Sequence, residues 1–219
     1  MIVLLPIGAT EAHGPHLPLD TDTLIAAELA RRCQARLGWH ARVEEPFTAT
    51  AAAYARDFEG TVHVDPAEES RALVERVRGI RADRVVLVNL HFDPEHMRAV
   101  KDAVAQLPNV VWPNFTRRAH AQAIGAEFAT GACHGGEFET SLMLVAAPER
   151  VKPLYRALPE VRVDLARAIR DGKRSFREAG VHEAYCGHPA TATREEGERL
   201  YAVLADIVLR EVAAAPPAP

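Results

Sequence analysis

Ile2-Val3-Leu4-Leu5-Pro6-Ile7-Gly8-Ala9-Thr10-Glu11-Ala12-His13-Gly14-Pro15-His16-Leu17-Pro18-Leu19-Asp20-Thr21-Asp22 is the stretch that decides how the chain is read. Its apolar, β-branched start has the length of a buried strand. From Pro6 to Asp22 the chain then carries one Glu, two His and two Asp, with no Lys or Arg. Acid and imidazole packed between a core strand and a helix repel and are costly to desolvate. A divalent cation removes that cost, because carboxylates and neutral imidazoles are its usual protein ligands. Glu11 and His13 stand two apart, so in an extended segment both side chains leave the same face. Gly14-Pro15 and Leu17-Pro18 turn the chain, and Asp22, at the start of the next helix, returns to cap an ion held by Glu11 and His13. Without an ion, Glu11 and His13 are solvated loop residues and Asp22 is an ordinary N-cap. The density of ligand-type residues over the whole stretch favours the ion.

The 219 residues, 48% apolar and 26% charged, suit a soluble globular protein with one sizeable core. We expect one domain over 1–212 and a disordered, Pro-rich tail over 213–219. A net charge of −4 argues against nucleic acid or anionic membrane as a partner. No apolar run is long enough to span a bilayer, and Met1 leads straight into a core-type strand without a signal-peptide pattern. Cys33, Cys133 and Cys186 are odd in number and widely separated, which suits reduced thiols and a cytoplasmic location.

Helical periodicity predicts a helix over about 23–37, ended by Gly38. Short strands are expected over 41–45 and 62–64, separated by a loop rich in small residues near a site. Asp65-Pro66 opens a helix to about Arg81, with Asp as N-cap and Pro at the first helical position. Val85 to Asn89 is the best central strand, apolar on both faces. A helix to about Leu107, a strand over 110–112, a partly helical region to Ala132 and a helix from Glu137 to Pro148 follow. The remainder is expected to be mostly helical, with helices over 161–170 and 195–212. Strands alternating with helices predict an α/β/α architecture with a mostly parallel central sheet.

His91 and Asp93 follow the central strand and repeat the two-apart spacing, at the strand end where parallel sheets bind ligands. With Asp22 as a bridging carboxylate, these clusters have the makings of a two-ion site of the hydrolytic kind. Asp93-Pro94 is equally a helix cap. In His134-Gly135-Gly136-Glu137-Phe138-Glu139-Thr140-Ser141, His134 is a candidate proton carrier, since imidazole titrates near neutrality. Glu137 sits where a helix dipole favours an anion, and Glu139 reads as a buried partner or a cap. His16 and His96 lie near the clusters without an assigned role. Phosphate loops and the Gly-x-Ser-x-Gly elbow are absent, so nucleotide enzymes and serine hydrolases lack their signatures.

Pro6 to Pro18 with Asp22, Asn89 to His91, and His134 to Ser141 together resemble the creatininase (creatinine amidohydrolase) family. The resemblance implies a three-layer α/β/α fold and hydrolysis of a C–N amide-type bond in a cyclic amide, formamide or peptide. It implies two divalent ions, zinc or manganese with iron(II) as a further choice, activating a hydroxide. By position, Glu11, His13, Asp22, His91 and Asp93 would be metal ligands, with Asp22 bridging. His134 would be catalytic, and Glu137 a second acid–base group or substitute ligand. The family also implies a homo-oligomer, often a hexamer. Leu90 in place of the family's usual glycine, Phe92-Asp93-Pro94, and the lack of a Trp before His134 argue against creatinine as substrate. The opening also resembles that of the mycofactocin-maturation peptidase. The competing readings are a non-catalytic, metal-dependent small-molecule binder or sensor on the same fold, and a flavodoxin-like redox domain.

Overall fold

The computed structural model describes residues 1–131 and 133–216. Four parallel strands, β1 (Ile2–Ile7), β2 (Ala41–Val43), β3 (Arg84–Asn89) and β4 (Val110–Val111), form one sheet in the order β2-β1-β3-β4. The connections run through α1 (Thr21–Leu37), α2 (Pro66–Arg78) and α3 (Pro94–Val104). After β4 come α4 (Arg118–Ile124), α5 (Ala126–Ala129), α6 (Glu137–Ala146), α7 (Leu165–Arg170) and α8 (Arg194–Ala214).

Both sheet faces are covered, which is why the central strands are apolar without alternation. Leu4, Val86 and Val88 meet Ile25 and Leu29 of α1, Leu142 of α6 and Leu204 of α8 in one core. Val3, Leu5, Ile7, Val85 and Leu87 point the other way, onto Leu73 and Val77 of α2 and Val100 and Ala103 of α3. The result is a three-layer α/β/α sandwich with β1 and β3 at its centre. Gly8 ends β1 because nothing larger fits there: a Cβ would lie 2.3 Å from the Thr23 nitrogen. The first turn of α1 is thereby laid directly against the strand exit.

Several expectations are revised. β2 ends at Val43, ahead of Pro46. Val62 to Val64 form no strand; Val62 and Val64 instead donate backbone hydrogen bonds to Thr10 and Thr50, which lays the segment over neighbouring loops. The helix expected from Val161 starts at Leu165, where Asp164 caps it through Arg167 N–H, while Val161 pairs with Gly187. The stretch from Pro148 to Thr193 is otherwise short 3-10 turns and loops rather than mostly helix. Pro148, Pro153 and Pro159 interrupt it, as do Gly172, Gly180 and Gly187 at positive φ. α8 continues to Ala214, and residues 217–219 of the expected tail lie outside the described residues. Among the described residues, no helix is long and apolar enough to cross a membrane.

Candidate metal centre

Ile7 of β1 pairs with Asn89 of β3, so the chain leaving each strand enters the same crevice. The loop after β1 supplies Glu11 and His13, the first turn of α1 supplies Asp22, and the loop after β3 supplies His91. His134 precedes α6, and Glu139 stands in its first turn. Glu11, His13, Asp22, His91 and Glu139 are each at most 3% exposed.

Asp22 lies between the two histidines. Its Oδ1 is 3.0 Å from His13 Nε2, and its Oδ2 is 3.0 Å from His91 Nδ1. Glu11 Oε1 stands 3.1 Å from His91 Nδ1, and Glu139 Oε2 stands 3.5 Å from His13 Nε2. Two groups of candidate ligands, Glu11–Asp22–His91 and His13–Asp22–Glu139, therefore share Asp22, with the ligand atoms of each within 4.8 Å of one another. A further group joins Glu11, His13 and His134, whose Nδ1 is 3.9 Å from Glu11 Oε1.

The backbone decides which ring nitrogen faces the acids. His13 Nδ1 lies 3.0 Å from the Glu11 carbonyl, His91 Nε2 lies 2.8 Å from the Ala51 carbonyl, and His134 Nε2 lies 2.8 Å from the Ala12 carbonyl. A carbonyl only accepts, so each of these nitrogens carries hydrogen. In the neutral rings of His13 and His91, the opposite nitrogen would aim a lone pair at carboxylate oxygens about 3 Å away. That arrangement is repulsive unless positive charge, a proton or a cation, lies between them.

The charges gathered in the cluster make the same demand. Burial alone would lower the His13 pKa, but the Asp22, Glu139 and Glu11 carboxylates outweigh it and hold the ring at about 10. His91 is likewise raised well above its usual value against burial by Glu11 and Asp22. Burial tends to raise Asp22, yet His13 and His91 hold it well below the usual range. Glu139 is pushed up to about 8 by burial, in spite of His13, and Glu11 is also raised by burial. Among the described residues, His13 Nε2 and Asp22 Oδ2 are buried without a hydrogen-bond partner. Oxygen and imidazole donors around orphaned atoms fit divalent ions.

Two residues expected at this centre are not brought into these groups. Asp93 is the N-cap of α3: one oxygen accepts from Glu95 and His96 N–H, and the other accepts from Tyr54 N–H at 2.8 Å. Its lone pairs are spent on backbone, and it stands in the pocket wall. Glu137 begins α6 but faces Thr191, His188, Glu196 and Arg199. Glu139, two residues on and roughly 200° around the helix, points into the cluster instead. It accepts from Gly135 N–H at 2.7 Å. His16 also has a place, with its Nε2 2.9 Å from Thr140 Oγ1, tying the opening loop to α6.

Beside the acids opens a cavity of about 300 Å³, walled by Leu90, Phe92, Phe128, Leu165 and Phe176, with no Lys or Arg among its described lining residues. Phe176 stacks on His134 with ring centroids 4.4 Å apart.

The sequence profile of the creatininase family, described as creatinine amidohydrolase, matches residues 1–212. A mycofactocin precursor peptide peptidase from Mycobacterium ulcerans (strain Agy99) is 34% identical, over 99% of this chain and 86% of its own. A creatinine amidohydrolase from Pseudomonas putida is 27% identical over 96% and 89%. Among solved structures, a creatininase superposes with a TM-score of 0.76 at 21% identity, covering 99% of this chain and 91% of that one. Fold and relatives together define a hydrolase acting on carbon–nitrogen bonds. The chain belongs to the creatininase family.

Proposed function

We propose that this protein is a metal-dependent peptidase that hydrolyses an amide bond in a peptide of the mycofactocin-precursor type. The observation that carries the reading is the sharing of Asp22, with one oxygen beside His13 and Glu139 and the other beside His91 and Glu11. Glu11, Asp22 and His91 would hold one divalent ion and His13, Asp22 and Glu139 a second, which fits the solved manganese form of a creatininase and the Zn-Zn form of a mutant creatininase. Such ions lower the pKa of water toward neutrality and polarise an amide carbonyl.

The protein's own groups do the rest. His134 donates its Nε2–H to the Ala12 carbonyl and keeps Nδ1 free on the cavity side. Burial holds its pKa well below the usual value and favours the neutral ring. Nδ1 takes a proton from water and passes it to the departing nitrogen. Phe176 holds the imidazole plane by stacking on it. The aromatic and aliphatic walls exclude water and favour uncharged, apolar residues of a peptide.

Relatives at 33–35% identity, matched over 92–99% of this chain, carry the peptidase name, which supports a peptide rather than creatinine as the substrate proposed. The test is a substrate panel on protein of measured metal content. Release of new amino groups from apolar peptides, lost on chelation and restored by zinc or manganese, is the expected result. Turnover of creatinine but of no peptide would overturn the substrate, and activity that survives complete metal removal would overturn the mechanism.

A further inference from the structure

Glu69 and His96 are both fully buried and have no part in the mechanism above. They belong to a closed ring of hydrogen bonds that passes through His91. Glu69, in the first turn of α2, accepts from Ala51 N–H through Oε2 at 2.7 Å. The carbonyl of the same Ala51 accepts from His91 Nε2–H at 2.8 Å. The other Glu69 oxygen meets His96 Nδ1 on α3. His96 Nε2 lies 2.9 Å from Asn89 Oδ1. Asn89 closes the circuit, since its Oδ1 accepts from His91 N–H and its Nδ2 donates to the His91 carbonyl. Both the backbone and the ring of His91 are thus gripped by partners that converge on one carboxylate.

We propose that Glu69, acting through His96 and the Ala51 peptide, is a positioning residue that fixes the tautomer and ring direction of His91. Outer partners of this kind raise the affinity of an imidazole for its ion by holding the correct nitrogen toward it. Glu69 is not among the described residues lining the cavity, and its influence reaches His91 through the hydrogen-bonded circuit and through His96, whose ring centroid lies 4.7 Å from that of His91. The proposal rests on the reading of His91 as a metal ligand.

Three variants test it, with cobalt(II) as the probe because its visible absorption reports the ligand field. In Glu69→Gln, the amide oxygen can accept from Ala51 N–H while the amide nitrogen donates to His96, so the ring survives without the charge. Cobalt affinity is expected within about threefold of the wild type, with an unchanged spectrum. Glu69→Met fills the space but leaves Ala51 N–H and His96 Nδ1 unpartnered. One cobalt ion is expected to bind about tenfold to a hundredfold more weakly, with an altered spectrum. Should the Met chain not fold, Glu69→Asp, one methylene too short to reach both partners, carries the same expected loss. Wild-type affinity and spectrum in the broken-ring variant would overturn the proposal, as would equal losses in the Gln and Met chains. A wild-type chain that takes up no cobalt is a separate result, which sinks the metal reading itself.

Discussion

Replacing Asp22 with Asn removes the negative charge at the point that both ligand groups share, so both ions should be lost together. Metal content by mass spectrometry should collapse and hydrolysis should fall at least about a hundredfold; full retention of metal would exclude a shared carboxylate. His134→Ala separates binding from catalysis: metal content holds while turnover drops about 10²–10⁴-fold, the usual worth of a general acid–base group. Glu137→Gln and Glu139→Gln differ by two positions and should differ in kind. The first should leave turnover within about twofold, while the second loses metal, because only Glu139 faces His13. Glu11, His13, Asp22, His91 and His134, which the structure brings together, stood out as candidates from residue type, spacing and the family resemblance combined. Glu139 was not singled out, because two acids stand at the start of α6 and only the helix phase, set by Gly136 as N-cap, chooses between them. Asp93 offered two readings for a related reason. Asp-Pro precedes both α2 and α3, and the same side-chain capping occurs at Asp65 and at Asp93. The same signal reads as a cap at Asp65 and as equally cap or ligand at Asp93, where a neighbouring His91 and the family resemblance add the second reading.

At the scale of elements, the buried strands β1 and β3 and helices α1, α2, α3, α6 and α8 announced themselves through apolar runs, helical period and caps. The connection from Pro148 to Thr193 did not, because its conformation is set by prolines, positive-φ glycines and tertiary contacts rather than by any period. Phe176, for example, reaches His134 because its N–H donates to the Tyr54 carbonyl, a contact 122 residues distant in sequence from a loop of small residues. The placement of Glu139 depends on how closely α6 and α8 approach. Gly197 of α8 permits this: a Cβ there would lie 2.1 Å from the Ser141 carbonyl oxygen. Gly197→Val should therefore push the helices apart and cost about 1–3 kcal/mol, read as a lower urea midpoint with an unchanged slope. Unchanged stability would mean that the helices slide without penalty.

For the whole molecule, ions bound only by the folded state stabilise it. At a free concentration a hundred times the dissociation constant, the gain is about 2.7 kcal/mol per site. For a chain of this size, chelation should lower the melting temperature by roughly 2–4 °C for each kcal/mol lost. The chelated protein should also respond to pH in a definite sense. The folded pKa of His13, about 10, stands above its ordinary 6.5, so its contribution is full below 6.5 and disappears as pH rises through 10. Glu139, raised from 4.5 to about 8, acts in the same direction between those values. Without metal, the melting temperature should fall as pH climbs from about 6 to about 9, and added zinc should flatten or reverse that slope. A metal-free protein that grows more stable over the same window would contradict the charge pattern of the cluster. The packing of α8 on α6 has one more consequence, for biosynthesis. Leu200, Leu204 and Val208 share a core with Phe138 and Leu142, on the helix that carries the last of the acids. A nascent chain exposes the four earlier donors well before this final prop leaves the ribosome, so it passes most of its synthesis with a half-built cage that has no firm fourth wall. Competence should arrive late and all at once, and a polypeptide stalled before Arg194 should be inert.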